Sequence, residues 1–197
     1  MGGFSQSTVE ANGPRVRYAE AGHGVALVHL QLPGDLRLTP AHDLLARRFR
    51  VVVMESPGND AAATGVVAAA LTRLGVETFN LIGSATAAEA ALRLARQAPG
   101  RALAVILETP AAGRHDDDDG LSSFATPTLV LLGTRDGAGT PRPSVAERIP
   151  GCHLVFVYDA GPTIGADRPE AFADVVSDFF ERREAFVVSR AATVIHP

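Results

Sequence analysis

The sequence predicts an α/β protein: a mostly parallel central sheet with helices on both faces. Two observations carry this. Short apolar runs such as VALVHL (Val25–Leu30) are bounded by glycines and carry few polar residues, as strands buried on both faces should be. Segments with helical apolar spacing fall between those runs, and that alternation is the signature of parallel strands joined by crossover helices. Sheets of this kind bind ligands beyond the carboxyl ends of their strands, so function is sought there.

The elements follow in order. Thr8–Ala11 and Val16–Ala19 are β-prone, and Asn12-Gly13 between them favours the positive φ angles of a tight hairpin turn. After Val25–Leu30 a helix is expected near Pro40–Phe49, then a strand at Val51–Met54. In Ala61–Leu74, Val67, Leu71 and Leu74 share one helical face, and Gly75 stands where a C-terminal glycine cap belongs. The strand Thr78–Ile82 runs through Gly83 into a helix at Thr86–Gln97. Ala102–Leu107, Thr128–Leu132 and His153–Val157 are the remaining strands. In the last helix Phe172, Val175, Val176 and Phe179 make an apolar stripe, with Asp167 as the expected cap, Glu170 as its capping-box partner and Pro169 in the first turn.

Composition narrows the function classes. The 197 residues suffice for one domain, 1–197, with a substantial core, and a second domain is not expected. All 18 basic residues are Arg, net charge is −4 and no basic block occurs, which disfavours a nucleic-acid partner. One cysteine, Cys152, excludes an internal disulfide and fits a reducing compartment. The N-terminal MGGFSQSTVEANG has neither a secretory pattern nor, with Gln6, a myristoylation pattern. No segment approaches the roughly 18–20 apolar residues of a membrane span, so a soluble cytoplasmic protein without membrane contact is expected.

Six stretches, in order, resemble the α/β-hydrolase fold from about Val9 to Phe186. The hairpin ending in YAEAGHG resembles that family's opening, and VALVHLQLPG its strand and His-Gly turn, which supplies part of the oxyanion hole. VVVMESPG is similar to its strand with an acidic-x-Pro-Gly turn, and TRLGVETFNLIGSATAAEAALRLA to its nucleophile elbow with flanking helices. PTLVLLGTRD resembles the strand carrying the triad acid, and DAGPTIGADRPEAFADVVSDFF the loop and helix around the triad histidine. The resemblance implies the fold; activity must be read residue by residue.

The family writes its elbow G-x-S-x-G. Here the residues are Gly83, Ser84, Ala85, Thr86 and Ala87, so Ala85 stands at the nucleophile position and cannot attack a carbonyl. Ser84 is one residue early, and a shift of one along a strand end turns a side chain to the other face. Asp136 matches the triad acid. Pro162 stands where the resemblance implies the histidine, and it offers no proton acceptor. His29 is followed by Leu30 where the family has Gly, which adds bulk near the expected substrate carbonyl. His153 lies at the far end of a strand and is expected to be a packed or edge residue.

The interval from Pro110 to Pro127 is too short for the helical cap of many relatives, so a lidless molecule is expected. Within it HDDDDG (His115 to Gly120) lacks the alternating ligands of a calcium loop and reads as a solvated acidic loop, with a weak cation site or a basic partner as the alternative. No metal site and no cofactor are expected.

The functional expectation is therefore a catalytically degenerate hydrolase-fold protein, a scaffold for a small-molecule ligand or a protein partner at the strand carboxyl ends. The candidate pocket residues are Leu30, Gln31, Ser84, Ala85, Thr86, Asp136 and Pro162. The alternative is an esterase, thioesterase or lyase of non-standard mechanism using Ser84, His29 or Asp136; a homodimer with its interface in the lid's place is a third possibility. The stretch 187–197 is read as a tail.

Overall fold

The computed structural model describes residues 3–34, 36–111, 120–135, 143–186 and 194–195. The opening hairpin consists of β1 (Ser5–Glu10) and β2 (Arg15–Ala21), turned by Asn12 at φ 52° and Gly13 at φ 107°. The chain continues through β3 (Ala26–Gln31), α1 (Pro40–Leu45), β4 (Arg50–Glu55), α2 (Ala61–Arg73), β5 (Phe79–Ser84), α3 (Ala87–Gln97) and β6 (Ala102–Glu108). Beyond the interval of the expected cap come β7 (Thr128–Gly133), α4 (Pro143–Arg148), β8 (His153–Val157), α5 (Ile164–Asp167), α6 (Pro169–Arg182) and β9 (Val194–Ile195).

The strands form one sheet in the order β1-β2-β4-β3-β5-β6-β7-β8-β9, parallel throughout except at the hairpin, where β1 pairs with β2 and β2 with β4 antiparallel. Alternate side chains feed two cores. Val28, Leu30, Val52, Leu81 and Val105 pack against α2 and α3, while Leu27, Val53, Ile82, Ile106 and Leu131 pack against α1, α5 and α6. Burial on both faces is what made the parallel strands legible as unbroken apolar runs.

Two expectations change. Asp167 does not cap the last helix: it ends the short α5, Arg168 occupies the α6 N-cap position, and the Asp167 carboxylate accepts the Gly161 N–H at 2.7 Å. That carboxylate ties down the loop before α5, a long-range use that the local S/T/D-x-x-E pattern does not reveal. The expected helix at Pro40–Phe49 stops at Leu45, because the chain must turn to feed Arg50 into β4.

The described part of the cap interval forms no roof over the strand ends. Leu121 and Phe124 are buried in the core on the α2/α3 side. None of the described helices is long and apolar enough to cross a membrane.

Candidate functional site

Strand register assembles the site. In the β3–β5 pairing His29 lies opposite Ile82, and in the β5–β6 pairing Ser84 lies opposite Glu108. Register partners share a face, as do residues two apart, so His29, Ser84 and Glu108 all emerge toward α1 and α6 at the carboxyl ends of three adjacent strands. Helix α1 adds a fourth group. With Pro40 in its first turn and Thr39 before it, His42 falls three residues from the cap, and its ring reaches back to accept the Thr39 backbone N–H at 2.9 Å. An imidazole here takes the part that Glu or Gln plays in a capping box.

These groups form a continuous hydrogen-bonded chain. His42 Nε2 lies 2.9 Å from His29 Nδ1, and His29 Nε2 lies 2.6 Å from Ser84 Oγ. Ser84 Oγ in turn bonds Glu108 Oε2, and Glu108 Oε1 accepts the Ile164 N–H at 3.1 Å. His29 and Glu108 are almost wholly buried, at 4% and 3% exposure, and His42 is at 1%.

The direction of every proton in this chain follows from one end. A backbone N–H can only donate, so His42 Nδ1, which accepts from Thr39, carries no proton. The proton of neutral His42 is then on Nε2 and is donated to His29 Nδ1. His29 must carry its own proton on Nε2 and donate it to Ser84. Ser84, accepting from His29, donates its hydroxyl proton to the Glu108 carboxylate. A second proton on either imidazole would set two N–H groups against each other.

Burial agrees with this assignment. Desolvation lowers His42 from its ordinary value to about 4, with the Asp43 charge acting in the opposite direction. Desolvation, and then proximity to His42, holds His29 well below the usual histidine range. Both rings are neutral at neutral pH. Burial pushes Glu108 above the usual carboxylate range, against the hydrogen bonds from Ser84, Gly165 and Ile164 that favour its ionised form.

A pocket of about 160 Å³ opens over this chain. Its floor is His29, His42, Ser84 and Glu108; Leu32, Ala85, Pro162 and Phe172 supply apolar walls. Gln31 and Arg37 stand at its mouth and bond each other, the Gln31 side chain accepting the Arg37 N–H at 2.7 Å and donating to the Arg37 carbonyl at 2.9 Å. Ala85, at the tip of the turn between β5 and α3, has φ 52°, a left-handed conformation costly for a residue with a Cβ. Its N–H is used by the Glu108 carbonyl at 3.0 Å.

The architecture and the turn at Ala85 define the protein as an α/β-hydrolase fold. Solved hydrolase structures are similar over nearly the whole chain. A thermophilic esterase from Thermogutta terrifontis, in a malate-bound structure, superposes with a TM-score of 0.76 at 16% identity, covering 91% of this chain and 99% of that one. Carboxylesterase CesB from Bacillus subtilis gives 0.72 at 15% identity over 89% and 91%. A predicted CIB-like hydrolase from Thermoplasma acidophilum gives 0.73 at 18% over 89% and 97%. Identities this low speak for the fold alone. No family model and no curated protein sequence matches the chain.

Of the residues singled out from sequence, Gln31, Ser84, Ala85, Pro162 and His29 all line the pocket. Leu30 does not: it is fully buried on the α2/α3 side, so its bulk never reaches the pocket. Strand alternation explains this, since its neighbour His29 takes the pocket face. Thr86 is exposed on the elbow and does not line the pocket either. Asp136 and the run His115 to Asp119 lie outside the described residues. His153, as expected, packs edge-on against Phe179 and Phe186. Among the described residues no group of three or more His, Cys, Asp or Glu could hold a metal ion.

Ser84, one position before the elbow tip, does not take the place of Ala85: ordinary strand alternation turns it toward His29 and Glu108, and it lines the pocket. Sequence reasoning missed His42 and Glu108. A signal existed for each: Thr39-Pro40-x-His42 has capping-box spacing, and Glu108 is a lone carboxylate closing an apolar run.

Proposed function

We propose that this is a non-hydrolytic α/β-hydrolase-fold protein that binds a small molecule in the pocket at its strand carboxyl ends. What supports the reading most is the direction of the proton chain beneath Ala85. Serine hydrolysis needs an imidazole that accepts the hydroxyl proton; here His29 donates to Ser84 and has no free nitrogen to receive anything. Ala85 stands at the elbow tip and Pro162 beside it, so neither family position supplies a nucleophile or a base. The pocket survives while the chemistry is gone.

The test is incubation with a fluorophosphonate probe and with short acyl nitrophenyl esters. Neither adduct nor turnover above background is expected. Labelling or turnover that disappears in Ser84→Ala would overturn the proposal.

One observation favours a second reading. Ser84 faces the pocket and donates its hydroxyl proton in a hydrogen bond to a buried carboxylate, which supports a weak Ser84 nucleophile with Glu108 as its base. It predicts loss of any activity in Glu108→Gln but retention in His42→Gln, a pattern opposite to that of a histidine-based site.

A further inference from the structure

The same proton chain dictates what the pocket can recognise. Every N–H and O–H along the chain from His42 to Glu108 is already committed. Thr39 N–H goes to His42, His42 Nε2–H to His29, His29 Nε2–H to Ser84, and Ser84 O–H to Glu108. The Ala85 N–H goes to the Glu108 carbonyl, and the Ile164 N–H to the Glu108 carboxylate. What remains at Ser84 and Glu108 is acceptor capacity: one lone pair on Ser84 Oγ and those left on the Glu108 carboxylate. An ester carbonyl or a carboxylate seated on Ser84 Oγ and Glu108 meets no donor there, and an acceptor buried without a partner is unfavourable.

Charge points the same way. The two imidazoles beside Glu108 are neutral and so provide no counter-charge, although His29 Nε2 lies only 3.7 Å from Glu108 Oε2. Arg37, also in the pocket lining, is exposed to solvent, so the buried carboxylate is complemented by a cation arriving with the ligand. The size of the pocket sets the apolar part. At about 160 Å³ it is comparable to the roughly 150 Å³ apolar cavity that accommodates benzene.

We propose that the pocket takes a small apolar molecule bearing a primary ammonium group, with the ammonium on Ser84 Oγ and the Glu108 carboxylate and the apolar body against Pro162 and Phe172. The inference rests on the non-hydrolytic reading and adds to it the ligand's chemical class. It also inverts the preference of an esterase site, which is built to hold a carbonyl oxygen.

The experiment is calorimetric titration of the full chain at neutral pH with three matched probes: benzylammonium chloride, benzyl alcohol and sodium benzoate. The expected order is ammonium, then alcohol about tenfold weaker, then benzoate without detectable binding. Glu108→Gln is expected to abolish the preference for ammonium over alcohol, and Ser84→Ala to weaken ammonium binding while keeping it above benzoate. The wild-type comparison stands by itself if a variant does not fold. Tighter binding of benzoate than of benzylammonium, or no binding of benzylammonium, would overturn the inference. Those results leave the absence of hydrolysis untouched, whereas a fluorophosphonate adduct on Ser84 would remove the non-hydrolytic reading whatever the order of the probes.

Discussion

His29 Nε2 and Ser84 Oγ are 2.6 Å apart, and the proton between them belongs to the histidine. The distance alone looks like a nucleophile and its base. The direction is set two residues away, by a Thr39 backbone N–H that can only donate and by His42, which passes the constraint on. The helix cap at Thr39 and His42 thereby orients the contact so that His29 donates to Ser84.

The turn that carries Ser84 depends on Gly83. A Cβ there would meet the Ala87 carbonyl oxygen and the Ala91 Cβ at 2.7 Å and the Ala88 Cα at 2.8 Å. Two of those atoms are backbone, so α3 would have to move off the sheet. Gly83→Ala is expected to destabilise the protein by about 1–3 kcal/mol in urea unfolding and to broaden or abolish ligand binding. An unchanged midpoint would mean that the helix does not sit this close.

How much of this was readable in advance differs between fold and site. Apolar runs, Gly75, Asn12-Gly13 and the small residues of the elbow are local signals, and they located the strands and most helices. The site is made by register, which is long-range. Nothing in the sequence near Ser84 says that Glu108 is its partner across β5 and β6, or that α1 aims His42 at His29. The end of β5 keeps strand alternation, which turns Ser84 away from the tip position of Ala85, and the pocket reaches down to the His29 and Glu108 side on which Ser84 lies. Asp167 failed as a cap for a similar reason, its carboxylate serving Gly161 rather than the helix that follows.

Ala85 offers a measure of strain. At φ 52° its Cβ is crowded by the backbone, at a cost of about 1–2 kcal/mol that glycine avoids. Ala85→Gly is expected to raise stability by up to about 1 kcal/mol, part of the gain being offset by the greater freedom of glycine in the unfolded chain. A loss of stability would indicate a relaxed turn. Ala85→Ser is expected to leave the protein unreactive toward the fluorophosphonate, because Pro162 supplies no base.

The buried imidazoles make stability depend on pH with a defined sign. The folded-state pKa of His42 is depressed from 6.5 to about 4, so the unfolded chain binds the extra proton first as pH falls. The contribution is complete above 6.5 and is lost progressively toward 4. At about 1.4 kcal/mol per pH unit the loss is on the order of 3 kcal/mol for His42 alone, and His29 adds to it in the same direction. Glu108 opposes them: its raised pKa favours the folded state at low pH and weakens it as pH rises through the raised value. Urea unfolding of Glu108→Gln as a function of pH removes the opposing group and should show a steeper rise in stability between pH 4 and 6.5 than the wild type, and His42→Gln a shallower one. Equal slopes in the two variants would contradict buried neutral imidazoles.

The central claim is the direction of the bond between His29 and Ser84, and it can be observed. In ¹⁵N-labelled protein at neutral pH, long-range ¹H–¹⁵N correlation spectra distinguish the two neutral tautomers of each imidazole. Both His29 and His42 should carry their proton on Nε2, with Nδ1 bare. A His29 protonated on Nδ1, leaving Nε2 to accept the Ser84 proton, would contradict the claim and return Ser84 to the list of working nucleophiles.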